Sequence, residues 1–395
     1  MRSLGIGGAI AIALIAGTVS AGPASARSNH PSCKYSGYDD GCAKAYADGN
    51  FINPNFFSYA KQSGQGAYYS APNTPSDHPM PWNVAGVDYP VGYSKGRKLQ
   101  DPAVDKLPTG CTYSATGSAA HGAIVVCSKV NNLALKGWDF SLHNCTVLDI
   151  KSSVTGTITI KNSKFVNGSN CSVSNGFLAM IENSTIANFK FEHNYVDGLA
   201  HQYPTSLIGM IVPFIQGRMI VKYNAFLHSP ARPMTSNNEG PLEVSYNYWE
   251  GWVYQPSDGH GEVVINYLGN DKHQSLIAYS YNTALEPNDV CANCGTSVWY
   301  PTGGGTNTRI DNVIVDHNTS IVNLHDGQVT VAAASAETSY NTYGAVSFQA
   351  NYMDPTGAYQ CFISISNPTY LTPPEFVGNI NMKNGKTVTD YGYCP

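Results

Sequence analysis

The chain has 395 residues, 12% of them charged, with a formal net charge of −5 at pH 7. So few cations, with no basic stripe among them, cannot neutralise a phosphate backbone, which argues against nucleic acid as a partner. The length allows one large β-rich domain or two smaller ones, with ample sequence for a core.

Met1-Arg2, an apolar stretch from Leu4 to Val19 and then Ala24-Ser25-Ala26 follow the positive, apolar and small-residue order of a cleavable secretory signal. Residues 1–26 are therefore read as a leader, and the mature protein as secreted, extracellular or periplasmic. No later run reaches the ~18 uninterrupted apolar residues of a membrane span. Ten cysteines suit an oxidising compartment. Their spacing suggests local staples: Cys33 with Cys42, Cys111 with Cys127, Cys145 with Cys171, Cys291 with Cys294, and Cys361 with Cys394. Spacing does not fix connectivity, and Cys291-Ala-Asn-Cys294 could instead be a redox or metal motif.

Residues 27–110 are rich in Tyr, Gly, Pro, Ser and Asn, with little alternation. They read as an irregular extension that covers the open end of a stacked β-structure, or as a separate binding module. Beyond residue 130 one phrase recurs: a short alternating strand, an Asn, another short strand. It appears as FSLHNCTVL, ITIKNSKFV, FKFEHNYVD, MIVKYNAFL, LEVSYNYWE, LIAYSYNTAL, VIVDHNTSI and VSFQANYMD, with Asn at 144, 162, 194, 224, 247, 282, 318 and 351. Alternating Ile, Val, Phe and Tyr mark strands with one buried face. Asn suits the sharp bend between them, because it tolerates left-handed φ and its amide can bond an identical Asn stacked above it. Such units bury their apolar faces only by stacking, about 4.8 Å apart, into a continuous core.

This pattern, over residues 120 to 385, resembles the right-handed parallel β-helix proteins, the superfamily of pectate and pectin lyases, polygalacturonases and phage tailspikes. The resemblance implies an all-β, right-handed parallel β-helix of three-strand coils over residues 111–395, with the last stretch from Tyr370 closing one end. If Asn marks the bend between the second and third strands of each coil, then FLAMIE (177–182), SLIGMIV (206–212), RPMTSNN (232–238), GEVVIN (261–266), SVWYPT (297–302) and VTVAAA (329–334) lie side by side in the first sheet. In enzymes of this family that sheet, with its adjoining loops, forms the substrate groove.

Period-two alternation then places Val263, Ile265 and Tyr267 in the core and His260, Glu262 and Val264 outside. His260, between Gly259 and Gly261, and Glu262 are the candidate acid and base; two solvated residues on an ordinary strand is the alternative. His228 and Arg232 approach them from the preceding coil. Arg232 could clamp a substrate carboxylate bidentately or pair with Glu239. Asp197 and His201 come from one coil earlier, although Asp197-Gly198 also reads as a turn. Trp299 could stack on a sugar ring or pack in the core. Lys272 and His273 sit in a polar loop that rims the site or is merely solvated. Sequons at Asn144, Asn167, Asn170, Asn183 and Asn318 are taken as accidental, since Asn144 and Asn318 should be occupied inside the ladder.

Gly259-His260-Gly261 looks like a polygalacturonase motif, but the Asn-Thr-Asp and Asp-Asp elements that carry hydrolytic carboxylates are missing from nearby coils. Inverting hydrolysis needs two carboxyl groups roughly 6.5 to 9.5 Å apart. His, Arg and a single firm carboxylate fit β-elimination from a uronic acid better, with Glu262 or His260 as base, His228 as proton donor or orienting group and Arg232 as clamp. The expected function is a polysaccharide lyase. Glycoside hydrolysis, epimerisation and a non-catalytic glycan-binding or adhesin β-helix are the alternatives. No cofactor is expected; calcium could take part of the task of Arg232, but no dense acidic ligand cluster points to it. The partner is a polysaccharide and the protein is expected to be a monomer.

Overall fold

The computed structural model describes residues 84–86, 89–93, 97–117, 122–168, 177–184, 187–198, 210–229, 232–252, 263–266, 268–286, 298–300, 306–322, 335–336, 342–355, 364–365, 369–381 and 386–388. Among these residues the regular structure is all β. No helix among them is long and apolar enough to cross a membrane.

Among the described residues the strands form three long sheets and one two-stranded pair. The first stacks, in spatial order, Cys111–Ser114, Ala123–Cys127, Thr146–Ile150, Ala179–Ser184, Ile211–Ile215, Met234–Ser236, Val264–Asn266 and Trp299–Tyr300. The second runs from Asn131–Lys136 to Thr369–Tyr370, and the third from Lys164–Val166 to Lys386–Val388. Successive strands of the chain visit the first, second and third sheets in turn, and like strands of successive coils pair in parallel. The expected first-sheet segments from 177 to 302 do line up in one sheet; VTVAAA lies outside the described residues. Two antiparallel pairings close edges: Cys111–Ser114 against Ala123–Cys127, and Lys386–Val388 against Asn379–Asn381. Turning the terminal strand back satisfies an edge that would otherwise present bare N–H and C=O groups to water.

The first of these edges is stapled by the Cys111–Cys127 disulfide, which closes a loop of 16 residues and stabilises by about 3 kcal/mol in the chain-entropy picture. Cys145 is also disulfide-bonded; its proposed partner Cys171, like the other six cysteines, lies outside the described residues.

Between the second and third sheets runs the asparagine ladder. Ser163, Asn194, Asn224, Asn247, Asn282, Asn318, Asn351 and Asn379 occupy one buried column. From Asn194 to Asn351 each side-chain amide donates to the Oδ1 of the next Asn, at 2.9 to 3.2 Å. Each also donates to a strand carbonyl of the coil before, so the buried amides are satisfied without water. Two members of the sequence pattern are corrected. Asn144 is exposed and outside the column, and Asn162 is one residue early, since Ser163 holds the rung.

The bend is also made differently from expectation. The left-handed residue is the one before each rung: Asn162, His193, Tyr223, Tyr246, Tyr281, His317 and Ala350 have φ between 49° and 60°, and Gly378 completes the row. A left-handed conformation costs a non-glycine residue about 1–2 kcal/mol. Ring stacking along the row helps to offset it: His193, Tyr223, Tyr246, Tyr281 and His317 form a face-to-face column with centroids 4.6 to 5.1 Å apart.

The described part of the extension lies along this corner. Ala85 N–H donates to Thr283 Oγ1 at 2.8 Å, and the Tyr89 hydroxyl donates to the Tyr281 carbonyl. The Tyr89 ring stands edge-on to Tyr246 and Tyr223, Gly92 N–H bonds the Tyr223 carbonyl at 2.8 Å, and Tyr93 meets Tyr195 edge-on. The chain then pairs Gln100 with Trp138 in the first coil. Residues 84–86 and 89–93 thus lie as a strap across the flank of successive coils, and residues 97–114 meet the first coil.

Candidate functional site

The outward reading of His260 and Glu262 depended on Val264 facing solvent. Val264 pairs in register with Met234 on one side and Trp299 on the other, and the Trp299 ring packs against Tyr279 of the second sheet, 5.9 Å away. Val264 is therefore an interior residue, fully buried with Met234 and Trp299. Alternation through this strand no longer assigns an outward side to Glu262. His260, Glu262 and His201 themselves lie outside the described residues.

Four other candidates are placed by the structure away from an open groove. Trp299 is a core residue with no exposed surface and is not a sugar platform. Arg232 precedes the strand Met234–Ser236 and is only 3% exposed, too little for its guanidinium to clamp a substrate carboxylate from this conformation. Lys272 pairs with Glu239 at 2.8 Å, the partner considered for Arg232. His273 belongs to the two-residue strand beside the second sheet, where its Nε2 meets Asp311 Oδ2 at 2.7 Å while Arg309 Nε donates to Asp311 Oδ1 at 2.7 Å. That cluster does not rim the outer face of the first sheet.

What the structure does bring together is His228 and Asp197. Asp197 ends the strand Tyr195–Asp197, and His228 lies one coil later on Ala225–Ser229, both in the third sheet. His228 Nδ1 is 3.1 Å from Asp197 Oδ1, with the imidazole 41% exposed and the carboxylate 8% exposed. A buried carboxylate that orients an accessible imidazole is a workable acid–base unit. The Tyr195 hydroxyl donates to the other oxygen, Asp197 Oδ2, at 2.7 Å. The turn reading of Asp197-Gly198 gives way to a strand end whose Gly198 N–H bonds the Leu227 carbonyl.

His228 breaks the regular ladder. Leu227 pairs with Glu250 and Ser229 with Trp252, leaving His228 beside Gly251, both with positive φ. A Cβ on Gly251 would stand 3.6 Å from His228 Cδ2, so the ring rests over the glycine. The hydrogen bond to Asp197 raises the His228 pKa above the ordinary imidazole value; burial opposes this, and the charges of Asp197 and Glu250 add to it.

Glu250 was not among the expected site residues. It is buried, and its Oε2 accepts a hydrogen bond from the Tyr248 hydroxyl at 2.9 Å. A signal for it was present: Asn194-Tyr195-Val196-Asp197 and Asn247-Tyr248-Trp249-Glu250 are the same rung-Tyr-x-acid phrase. Those two coils flank the one that carries His228. Among the described residues no group of three or more His, Cys, Asp or Glu is placed to hold a metal ion.

Comparison with family models, with curated proteins and with solved structures finds no match in any of the three, so the functional reading rests on these residues and their geometry.

Proposed function

We propose that the protein is a secreted polysaccharide lyase on a right-handed parallel β-helix of the pectin-lyase-like type, cleaving a uronic-acid-containing polymer by β-elimination. The observation that carries the reading is the contact between half-buried His228 and buried Asp197, at 3.1 Å. In the elimination a base takes the proton at C5 of the uronate, the C4=C5 double bond forms as the C4–O4 bond breaks, and O4 leaves with a proton. His228 supplies that proton. His260 or Glu262 is proposed as the base.

The test is to incubate the purified chain with a panel of uronic-acid and neutral polysaccharides and to follow absorbance of the unsaturated product. His228→Ala should lower kcat by about 100-fold or more, as expected for loss of a general acid. New reducing ends without unsaturation would overturn elimination in favour of hydrolysis.

A non-catalytic glycan-binding solenoid is the second reading. It is favoured by the dispersal of the expected contacts, with Trp299 in the core and His273 beside the second sheet. Retention on a glycan column without turnover on any polymer of the panel would decide for it.

A further inference from the structure

His228 is bracketed by a repeated unit. Tyr195 and Tyr248 are both in register with Ala225, and Asp197 and Glu250 are both in register with Leu227, one coil on each side. In each flanking coil the tyrosine hydroxyl donates to the acid two residues on, at 2.7 Å to Asp197 and 2.9 Å to Glu250. Both carboxylates are buried and tethered, whereas the imidazole between them reaches solvent. Its own strand, Ala-Phe-Leu-His-Ser, has no other ionisable residue. On the two strands paired with it the ionisable residues are Tyr195, Asp197, Tyr248 and Glu250. Gly251 leaves the space over which the ring lies.

We propose that Glu250 is a second positioning residue for His228, acting from the coil after it as Asp197 acts from the coil before it, so that His228 meets its substrate as an imidazolium and serves as proton donor. Two carboxylates stabilise the charged imidazole, and a histidine that is to protonate a leaving oxygen has to carry that extra proton beforehand. The direction of the His228 shift agrees with this arrangement, because Glu250 acts in the same sense as Asp197. The assignment of the proton to a leaving group rests on the elimination proposed above; the electrostatic bracket does not.

The experiment therefore has two arms on the full chain. In the first, the His228 imidazole is titrated by NMR in the wild type and in Asp197→Asn, Glu250→Gln and Glu250→Asp, each checked for a native circular dichroism spectrum. The wild-type midpoint should lie above that of free histidine. Asp197→Asn should lower proton affinity about 10-fold and Glu250→Gln about 3-fold, with Glu250→Asp retaining most of the wild-type value. A folded Glu250→Gln protein with an unchanged His228 midpoint would overturn the proposal. So would a wild-type midpoint at or below that of free histidine, a result that needs no variant to fold. In the second arm, the alkaline limb of the kcat profile should move to lower pH in Glu250→Gln by the same amount as the titration. Absence of turnover in the wild type would sink the elimination reading and leave the first arm to decide the role of Glu250.

Discussion

Asn282 donates from its amide to Asn318 Oδ1 at 3.0 Å and to the Val244 carbonyl at 2.8 Å, and its own Oδ1 accepts from the backbone and the amide of Asn247. Every polar atom of that buried side chain is committed, to partners in the coils before and after it. Deleting it strands several of them away from water. Asn282→Ala should therefore cost about 3 kcal/mol of unfolding free energy, the range for buried groups left unpaired. Asn162→Gly, at the left-handed position beside the rung, should change stability by only about 0.5 kcal/mol. Urea unfolding of both variants checks the contrast; equal losses would mean that the ladder is not what holds the corner.

Tyr89 anchors the strap to the aromatic column. The ring stands 5.1 Å from Tyr246 and 6.2 Å from Tyr223, and its hydroxyl bonds the Tyr281 carbonyl. Tyr89→Ala should lower stability by about 2 kcal/mol, and Tyr89→Phe by about half of that. Limited proteolysis read by mass spectrometry should show cleavage between residues 84 and 100 in Tyr89→Ala well before cleavage in the coils.

At the entry to the second sheet, glycines of successive coils stack against backbone. A Cβ on Gly240 would lie 2.3 Å from the Gly217 carbonyl oxygen, and one on Gly217 only 2.2 Å from that of Ala187. Carbonyls of a sheet corner cannot give way as a flexible side chain can. Gly240→Ala should cost about 2–4 kcal/mol by forced displacement of the coil. Gly269→Ala, whose nearest neighbour is the Lys272 stem at 3.6 Å, should stay within about 1 kcal/mol of wild type. Thermal or urea unfolding of the two variants under one condition is the measurement.

His228 and His193 should move stability in opposite directions with pH. The His228 pKa is raised by its bond to Asp197. Its contribution is therefore fully present below the unfolded-state histidine pKa and is lost as pH rises through the folded value. The His193 pKa is lowered by burial and then by the charge of Lys161, with Glu192 opposing. Its contribution is present above the unfolded-state value and is lost as pH falls through the folded one. Unfolding of His228→Gln should thus differ most from wild type near about pH 5 and least near about pH 9, while His193→Gln should gain relative to wild type as pH falls toward about 5.

Much of the architecture is legible in the residues alone. Alternation in NFKFE, MIVK, LEVS and IAYS states which side of each second-sheet strand is apolar, and the recurring Asn states where the coil turns, because both are local demands repeated in every coil. That was enough to align five first-sheet segments correctly. It failed where one residue of phase mattered. Ser163 rather than Asn162 takes the rung. Val263 is buried as expected, but so is Val264, in line with Trp299, because adjacent apolar residues leave parity undecided until neighbouring strands set the register.

The site was legible only in fragments. His228, Asp197 and the repeated Tyr-x-acid phrase are visible in the sequence, but nothing local says that Asp197 and Glu250, 53 positions apart, stand on either side of one histidine. Nor does any periodicity announce that residues 84–93 cross coils built almost two hundred positions later. The sequence by itself determined the repeating unit, since strand and bend follow from neighbours along the chain. Only the tertiary structure decided which charges meet and what lies across the corner, since those contacts depend on the stacking of coils and carry no period of their own.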